Sequence, residues 1–541
     1  MELGGWKLEV RKLEQSAQSN LQPPTSNVHL GRVFSFATIT AAGFVLGRIS
    51  GLVREMVVSA HFGLSAELDA YFLAYIVPTV VNNIVAGSAI TVAVTPTFVH
   101  YLATGRRAEF WHVASIITNV VLLITGALTV LGMLLAAPII SILGAGLAPS
   151  TQSLAADLLV IMMPTLLLGA TLNMLMAMLN SVDRFGGPAL IFLALNLGII
   201  GTVIVLSPII GIYAVAWGFL LGVILQAVIQ LVELRLEQPR YDWRIDLRHP
   251  ALRQVLLAFI PITALAIVAQ INLVVDKAMA STLAPGSISA LSFADTILGS
   301  FYMLGISLGI AVFPSLSRMA ATNDLESTAH TVVASLRMLI FILAPLTFLL
   351  IPFAAPTIGL VLGRGRFDAG AVEMTAQALA MYAIGLIAIA ALYVLQRAFF
   401  ARADNVTPLV VGALTAILHI ALNLVLMRFM AHAGIALSTS ITAILSTVVL
   451  TLLLARRVRG IGLVSLLTFI FRCALLSLIS TLIVAWLFAS MNLGAETLTA
   501  RTVGVTFAIA GGSLYFLLAL ATRTRESRLL LQLARGFLKR Q

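Results

Sequence analysis

Long apolar runs, broken at short intervals by small polar clusters, make up nearly the whole chain from about residue 32 to residue 523. Stretches of about 20 apolar residues or more cross roughly 30 Å of hydrocarbon, and counting them predicts about fourteen transmembrane helices. They fall near 33–60, 69–97, 110–136, 152–181, 188–206, 211–235, 254–282, 287–318, 328–351, 372–402, 406–428, 433–456, 465–490 and 500–523. The pattern also repeats. Gly87, Ala93, Val94 and Pro96 close the second helix, and Gly305, Ala311, Val312 and Pro314 close the eighth at a constant offset. Six crossings per half is an even number, so the halves share one orientation and are related by a pseudo-two-fold along the membrane normal.

The expected fold is therefore an all-α polytopic membrane protein with two six-helix lobes. The expected order is a cytoplasmic tail (1–31), an N-lobe (32–235), a cytoplasmic linker (236–253), a C-lobe (254–460), two additional helices (461–523) and a basic cytoplasmic tail (524–541).

Composition excludes the soluble classes. The chain has 541 residues, of which 60% are hydrophobic and 10% charged, whereas a soluble domain carries about 25% charged residues. A net charge of +11 would suggest nucleic acid if it were gathered on one face. Instead the basic residues are scattered between the apolar runs, which excludes that partner and makes them topology signals. Arg106 and Arg107, the linker from Arg235 to Arg253, the cluster Arg456, Arg457 and Arg459, and the C-terminal tail lie inside if both termini are cytoplasmic. Outside, only Arg364, Arg366, Arg428 and Arg501 break the rule. The single cysteine, Cys473, lies in an apolar run and reads as packing, with no disulfide framework. The polar first 30 residues lack the apolar core of a signal peptide.

Charges inside the apolar runs carry the candidate chemistry. Arg48 and Arg54 lie in the first helix, among Gly43, Gly47 and Gly51. An arginine at the centre of a bilayer helix costs about 2.5 to 3.5 kcal/mol on insertion scales, so a pair within two turns implies a wet or anionic cavity. Pairing with Glu55 or Asp69 is the structural alternative. Arginine suits bidentate binding of phosphate oxygens, which favours a phosphate-bearing substrate. The glycine stripe fits either close helix packing or a bend between the two arginines.

In the second half Lys277 adds a cation to the same cavity or pairs with Asp295. Asp276, Asn423 and Thr439, with His419 one turn from Asn423, could hold a small hard cation such as sodium, or a proton; inter-helix hydrogen bonds are the alternative. There is no Walker loop, no His-Glu-x-x-His and no acidic pair for glycosyl transfer, so the chain reads as a transporter and not an enzyme. Gly363 to Phe367 reads as a turn or gate outside the membrane.

Several of these residues resemble a known family. Gly47-Arg48, Gly51-Leu52-Val53-Arg54-Glu55, His61-Phe62-Gly63 and Asp69-Ala70-Tyr71-Phe72 resemble the opening of the MurJ (MviN) family of lipid II flippases in the multidrug/oligosaccharidyl-lipid/polysaccharide exporter superfamily. Gln270-Ile271-Asn272, Phe293-Ala294-Asp295, Pro314-Ser315-Leu316-Ser317, Gly365-Arg366-Phe367 and Phe400-Ala401-Arg402 continue the match in order, over roughly residues 32 to 523.

The resemblance implies a flippase of the bacterial cytoplasmic membrane. It would work as a monomer, moving an undecaprenyl-diphosphate-linked peptidoglycan precursor to the outer leaflet by alternating access, among membrane lipids and without a cofactor other than a coupling Na+ or H+. It also implies that Arg48, Arg54 and Asp69 engage the headgroup and that Asp276, Asn423 and Thr439 stand where some members bind sodium. His419 is unusual there. Asn82-Asn83 and Thr296 stand where the family commonly has basic residues, which keeps open another lipid-linked oligosaccharide as cargo. A cation-coupled multidrug exporter of the same superfamily is disfavoured by Arg48 and Arg54.

Overall fold

The structure, a computed structural model, describes residues 27–528 apart from 86, 87, 183, 185, 244, 247, 492–496, 523 and 525. Most of the two expected tails, and Gly87 of the repeat, lie outside the described residues. Every regular element among the described residues is a helix.

The first half contains α1 (Asn27–Phe62), α2 (Ala66–Val85), α3 (Ser88–Ala103), α4 (Arg107–Leu134), α5 (Ala136–Leu143), α6 (Pro149–Met162), α7 (Pro164–Ser181), α8 (Gly186–Ile210) and α9 (Tyr213–Arg235). The second contains α10 (Pro250–Ala280), α11 (Ser287–Ala321), α12 (Leu325–Leu350), α13 (Ala354–Val361), α14 (Ala369–Ala401) and α15 (Val406–Arg457), followed by α16 (Leu463–Ser490) and α17 (Leu498–Ala521).

Eleven helices among the described residues are long and apolar enough to cross a membrane. One of them, the 52-residue α15, is two helices divided at Ala431, where φ is 48° and ψ is −129°. The count of fourteen crossings stays a reading of the sequence.

The repeat is visible in the short elements as well. Two eight-residue helices, α5 and α13, both open Ala-Ala-Pro, and they stand as far apart in the chain as Gly87 and Gly305. The starts of α4 and α12 keep the same offset. Asp324 caps α12 by accepting from the Ser327 amide at 3.0 Å, and hydrogen bonds from Ser327 hold its carboxyl below the usual range.

Within the first half α1 packs on α8 and α8 on α9; within the second α11 packs on α14 and α14 on α15. The glycine stripe of α1 is a packing face. A Cβ on Gly43 would lie 2.3 Å from the Ala189 carbonyl oxygen, and one on Gly47 would lie 2.7 Å from the Phe192 Cβ. Gly198 and Gly222 do the same at the α8–α9 crossing, where an added Cβ on Gly198 would meet the Gly222 Cα at 2.5 Å.

Two of the arginines expected outside, Arg364 and Arg501, complete a local helix end. Arg501 donates to the carbonyls of Gly359 (3.3 Å) and Gly363 (2.8 Å), and Arg364 donates to Leu360 (3.1 Å). Both complete the C-terminal carbonyls of α13, which have no partner inside the helix. Cys473 is buried among apolar side chains, as expected of packing.

Because only backbone faces Gly198, substitution by Val forces the two helices apart. Overpacking of this kind costs about 1–3 kcal/mol. Gly198→Val is expected to lower the thermal midpoint of the purified protein, and an unchanged midpoint would contradict the crossing.

Candidate functional site: a cationic cavity between the lobes

Helix α2 lies against α10 and α11, and the space they leave toward α1 and α8 is a set of joined chambers. The chamber of about 210 Å³ is lined by Arg54, Lys277 and Asp295 with Tyr71, Tyr75 and Thr296. A neighbouring chamber of about 230 Å³ is lined by Arg48 and Met303, and it shares Arg54, Tyr75 and Thr296 with the first. The expected cluster of Arg48, Arg54, Lys277 and Asp295 is thus brought together from α1, α10 and α11.

Arg54 forms an ion pair with Glu55 and donates to Asn196 Oδ1 at 3.2 Å. Asn196 in turn donates to the Gly47 carbonyl at 3.0 Å and to Ser50 Oγ at 2.9 Å, which ties α8 to α1 and aims the guanidinium. Sequence reasoning missed Asn196, although an amide amid an apolar run is itself the signal of a functional position. Arg48 is exposed to its chamber, contacts the Met303 sulfur, and has no carboxylate partner among the described residues. Two helical turns therefore hold one compensated and one uncompensated guanidinium.

Lys277 donates to Ser292 Oγ and to the Ile288 carbonyl (3.3 Å) and stands 5.8 Å from the centre of the Phe72 ring. Neither Lys277 nor Asp295 has an ion-pair partner among the described residues. The lining carries three cations (Arg48, Arg54, Lys277) against two carboxylates (Glu55, Asp295). That excess of positive charge suits an anionic ligand.

Asp69 does not line these chambers. Only 1% exposed, it accepts from the backbone amides of Gly286 (2.6 Å) and Ser289 (2.7 Å) and from the Ser289 hydroxyl (2.6 Å). It caps the N-terminus of α11 from the opposite lobe, where the unpaired amides and helix dipole favour an anion. In this structure Asp69, expected at the headgroup, serves as a cross-lobe latch.

The latch stands with a second closure at the same end. The Arg366 amide donates to the Ala60 carbonyl at 2.9 Å, and Ser59 Oγ donates to the Leu362 carbonyl at 3.4 Å. Gly63 (φ 61°) and Gly365 (φ 58°) let these backbones meet, since a Cβ on either would sit under 2.5 Å from the other loop. The turn at Gly363 to Phe367 is therefore part of the seal. This sealed end carries the arginine-poor loops.

Asp276 and Asn423 do come together, but around His419. Asp276 Oδ1 accepts from His419 Nε2 at 2.6 Å and from Asn423 Nδ2 at 2.7 Å. Ser438 donates to Asn423 Oδ1, while Ser438 and Thr442 hydroxyls lie 3.3 and 3.4 Å from His419 Nδ1. Thr439 is not a member: its hydroxyl donates to the Ile435 carbonyl of its own helix. Two N–H donors converge on the carboxylate oxygen that would ligate a cation, and a sodium site needs oxygen ligands there. The donor set does not fit sodium, and no ion step is assigned to it.

Two pseudo-symmetric helical halves, sealed together at one end around an internal charged cavity, define a multi-pass membrane transporter. Among solved structures, a lipid II flippase MurJ in an inward closed conformation matches with a TM-score of 0.74 at 24% identity, covering 90% of this chain and 99% of that one. An inward-facing multidrug resistance MATE family transporter of the MOP superfamily matches with a TM-score of 0.65 at 14% identity, covering 77% and 95%.

The family model of the lipid II flippase MurJ matches residues 58–511, and the chain belongs to that family. It is 29% identical over 443 residues to the lipid II flippase MurJ of Burkholderia cenocepacia, covering 79% of this chain and 84% of that one. It is 28% identical over 435 residues to a probable lipid II flippase MurJ of Vibrio cholerae, covering 77% and 82%.

Two outcomes follow from this geometry. Asp69→Ala removes three hydrogen bonds to a buried charge, each worth about 1.5–3 kcal/mol, and should shift the population toward opening of this end. Spin labels on Glu67 and Ala284 should report longer distances in Asp69→Ala, and an unchanged distribution would remove the latch role. Replacing sodium by choline should leave the transport rate unchanged, because N–H groups occupy the carboxylate oxygen that a hard cation would need; strict sodium dependence would contradict the reading of the Asp276–His419 cluster.

Proposed function

We propose that this protein moves lipid II, an undecaprenyl-diphosphate-linked peptidoglycan precursor, from the inner to the outer leaflet of the bacterial cytoplasmic membrane by alternating access. The reading rests on one observation above the others: Arg48 and Arg54 face joined chambers at the lobe interface of a chain in the lipid II flippase family.

In the state closed by Asp69, the diphosphate enters from the arginine-rich, cytoplasmic side. It takes Arg48, which lacks a carboxylate, and competes with Glu55 for Arg54. Bidentate arginine contacts compensate the phosphate charge at the point where hydrocarbon would reject it. Release of Asp69 from α11 and closure of the inner end then present the headgroup outside.

The isoprenoid tail stays in lipid. The exposed apolar faces of α16 and α17, among them Leu467, Phe471, Leu482 and Trp486, are the surface proposed for it. One chain contains the whole cavity, so the working unit is a monomer with both termini cytoplasmic. With no nucleotide-binding loop, a charge moving in the membrane potential supplies the drive, about 2.3 kcal/mol per elementary charge at 100 mV.

A second reading, another polyprenyl-diphosphate oligosaccharide as cargo, is favoured by the uncharged Asn82, Asn83 and Thr296 of the lining.

Native mass spectrometry of the purified protein titrated with lipid II separates these readings. Arg54→Ala should weaken lipid II binding by at least about tenfold, since a charge-assisted bidentate contact is worth about 1.5–3 kcal/mol, and Arg54→Gln, which keeps a hydrogen-bond donor beside Glu55, should weaken it as well. Undiminished binding would sink the role of Arg54, and a preference for a different lipid-linked glycan would select the second reading.

A further inference from the structure

The linker between the two halves does not hang free in solvent; its first residues are laced to α4. The Asp242 amide donates to Ser115 Oγ at 3.1 Å, its carbonyl accepts from Asn119 Nδ2 at 2.8 Å, and the Tyr241 hydroxyl donates to Asn119 Oδ1. Glu237 is held by Arg107 at 2.8 Å and by Arg184 at 2.9 Å. Where this strap crosses α4, every residue of the helix from Val113 to Val120 is buried, and the exposed apolar face begins only at Leu123 and Ile124. At about 1.5 Å per residue, Asn119 stands roughly 18 Å above the start of α4, so the strap climbs to the lower border of the apolar belt.

The edge of the strap turned away from α4 is apolar. Tyr241 is 46% exposed, Trp243 79% and Ile245 53%, and the first two rings meet edge to face at 5.2 Å. Alternation along an extended chain sends these three to one side and Asp242 to the other. In water they would form a costly patch; at the border of the apolar face of α4 they match the aromatic belt with which membrane proteins meet the headgroup layer. Beside them, at the first turn of α4 and outside the cavity between the lobes, lies a pocket of about 570 Å³ lined by Arg107, Trp111, Glu237, Gln238 and Arg240. Both arginines are exposed to it. Arg107 meets Glu237 through Nη2 alone, and Arg240 has no carboxylate partner among the described residues. Because Glu237 is already matched by Arg107 and Arg184, the pocket keeps an excess of positive charge.

We propose that the linker is a lipid-binding strap, in which Tyr241, Trp243 and Ile245 seat in the headgroup layer of the leaflet at this end while Arg107 and Arg240 hold the phosphate of an anionic phospholipid of that leaflet. Guanidinium forks suit phosphate oxygens. A membrane lipid is favoured over a soluble phosphate because the pocket is continuous with the aromatic edge, and the edge with the lipid-facing surface of α4. A headgroup bound there fastens the linker to the first half. His249, which caps α10 by accepting from the Ala251 amide at 3.2 Å, then starts the second half from a fixed point. Naming this leaflet the inner one rests on the orientation proposed above; the site itself does not depend on the cargo.

The test is titration of the full-length protein with phosphatidylglycerol and with phosphatidylcholine, followed by native mass spectrometry. The wild type should prefer phosphatidylglycerol by about tenfold or more, and Arg240→Gln should cut that preference about fivefold, the value of one basic residue at an anionic surface. Arg459→Gln, which removes an exposed charge from the second half at the same membrane face, should leave the preference unchanged. In nanodiscs, the fluorescence that Trp243→Phe removes should be quenched by phospholipids brominated near the headgroup end of their chains. Arg240 and Trp243 are exposed, so both variants should keep the wild-type thermal midpoint. Equal retention of the two lipids, or an equal loss of preference in Arg240→Gln and Arg459→Gln, would overturn the site. Quenching of Trp243 by aqueous iodide and not by brominated lipid would overturn the seat in the membrane, and displacement of phosphatidylglycerol by equimolar inorganic phosphate would overturn the lipid assignment. None of these readouts involves lipid II, so a failure of the flippase reading is told apart from a failure of the strap.

Discussion

An ionised side chain inside an apolar bundle has to be compensated, and that requirement shapes this molecule more than any other. Glu55 and Asn196 compensate Arg54, the α11 amides compensate Asp69, and the N–H groups of His419 and Asn423 compensate Asp276. Arg48 is the exception among these, facing a chamber with only the Met303 sulfur beside its guanidinium. Leaving a cation exposed to the cavity is costly in hydrocarbon and tolerable in a wet space, which makes the cavity both a structural necessity and the binding site.

The latch and the cavity are built on the same first turns of α11. Asp69 from the first half binds Gly286 and Ser289, while Lys277 from α10 binds Ile288 and Ser292 a few residues further on. Phe72, one turn after Asp69 on α2, lies beneath Lys277. A ligand that draws Lys277 away therefore changes the packing of the helix end that Asp69 holds. Coupling of this kind needs no long pathway, because the cavity wall and the seal share one helix terminus.

How much of this was legible in the sequence depended on whether a feature is local. The apolar runs, the repeated halves and the placement of Arg48, Arg54, Lys277 and Asp295 on helix faces follow from periodicity, and the structure brings those four residues together. The glycine stripe was legible as packing because its spacing is helical. The capping role of Asp69 was not legible because its partners, Gly286 and Ser289, are more than 200 residues away; nothing in the spacing around Asp69 distinguishes a carboxylate that caps a distant helix from one that meets a ligand. Thr439 stands apart from the Asp276 cluster in this structure for a finer reason. It lies on the correct helix, but its neighbours Ser438 and Thr442 have the register that faces His419, and Thr439 turns to its own backbone.

The central claim is that this chain carries a diphosphate-linked lipid across the bilayer, and it is tested most directly in proteoliposomes. Purified protein reconstituted with fluorescent lipid II, under an imposed membrane potential and without ATP, should expose inner-leaflet probe to a membrane-impermeant quencher at a rate well above that of protein-free vesicles. Arg48→Ala/Arg54→Ala protein of equal thermal stability should return that rate to the protein-free level. Equal rates for the wild type and the double variant, or no transfer by either, would contradict the account.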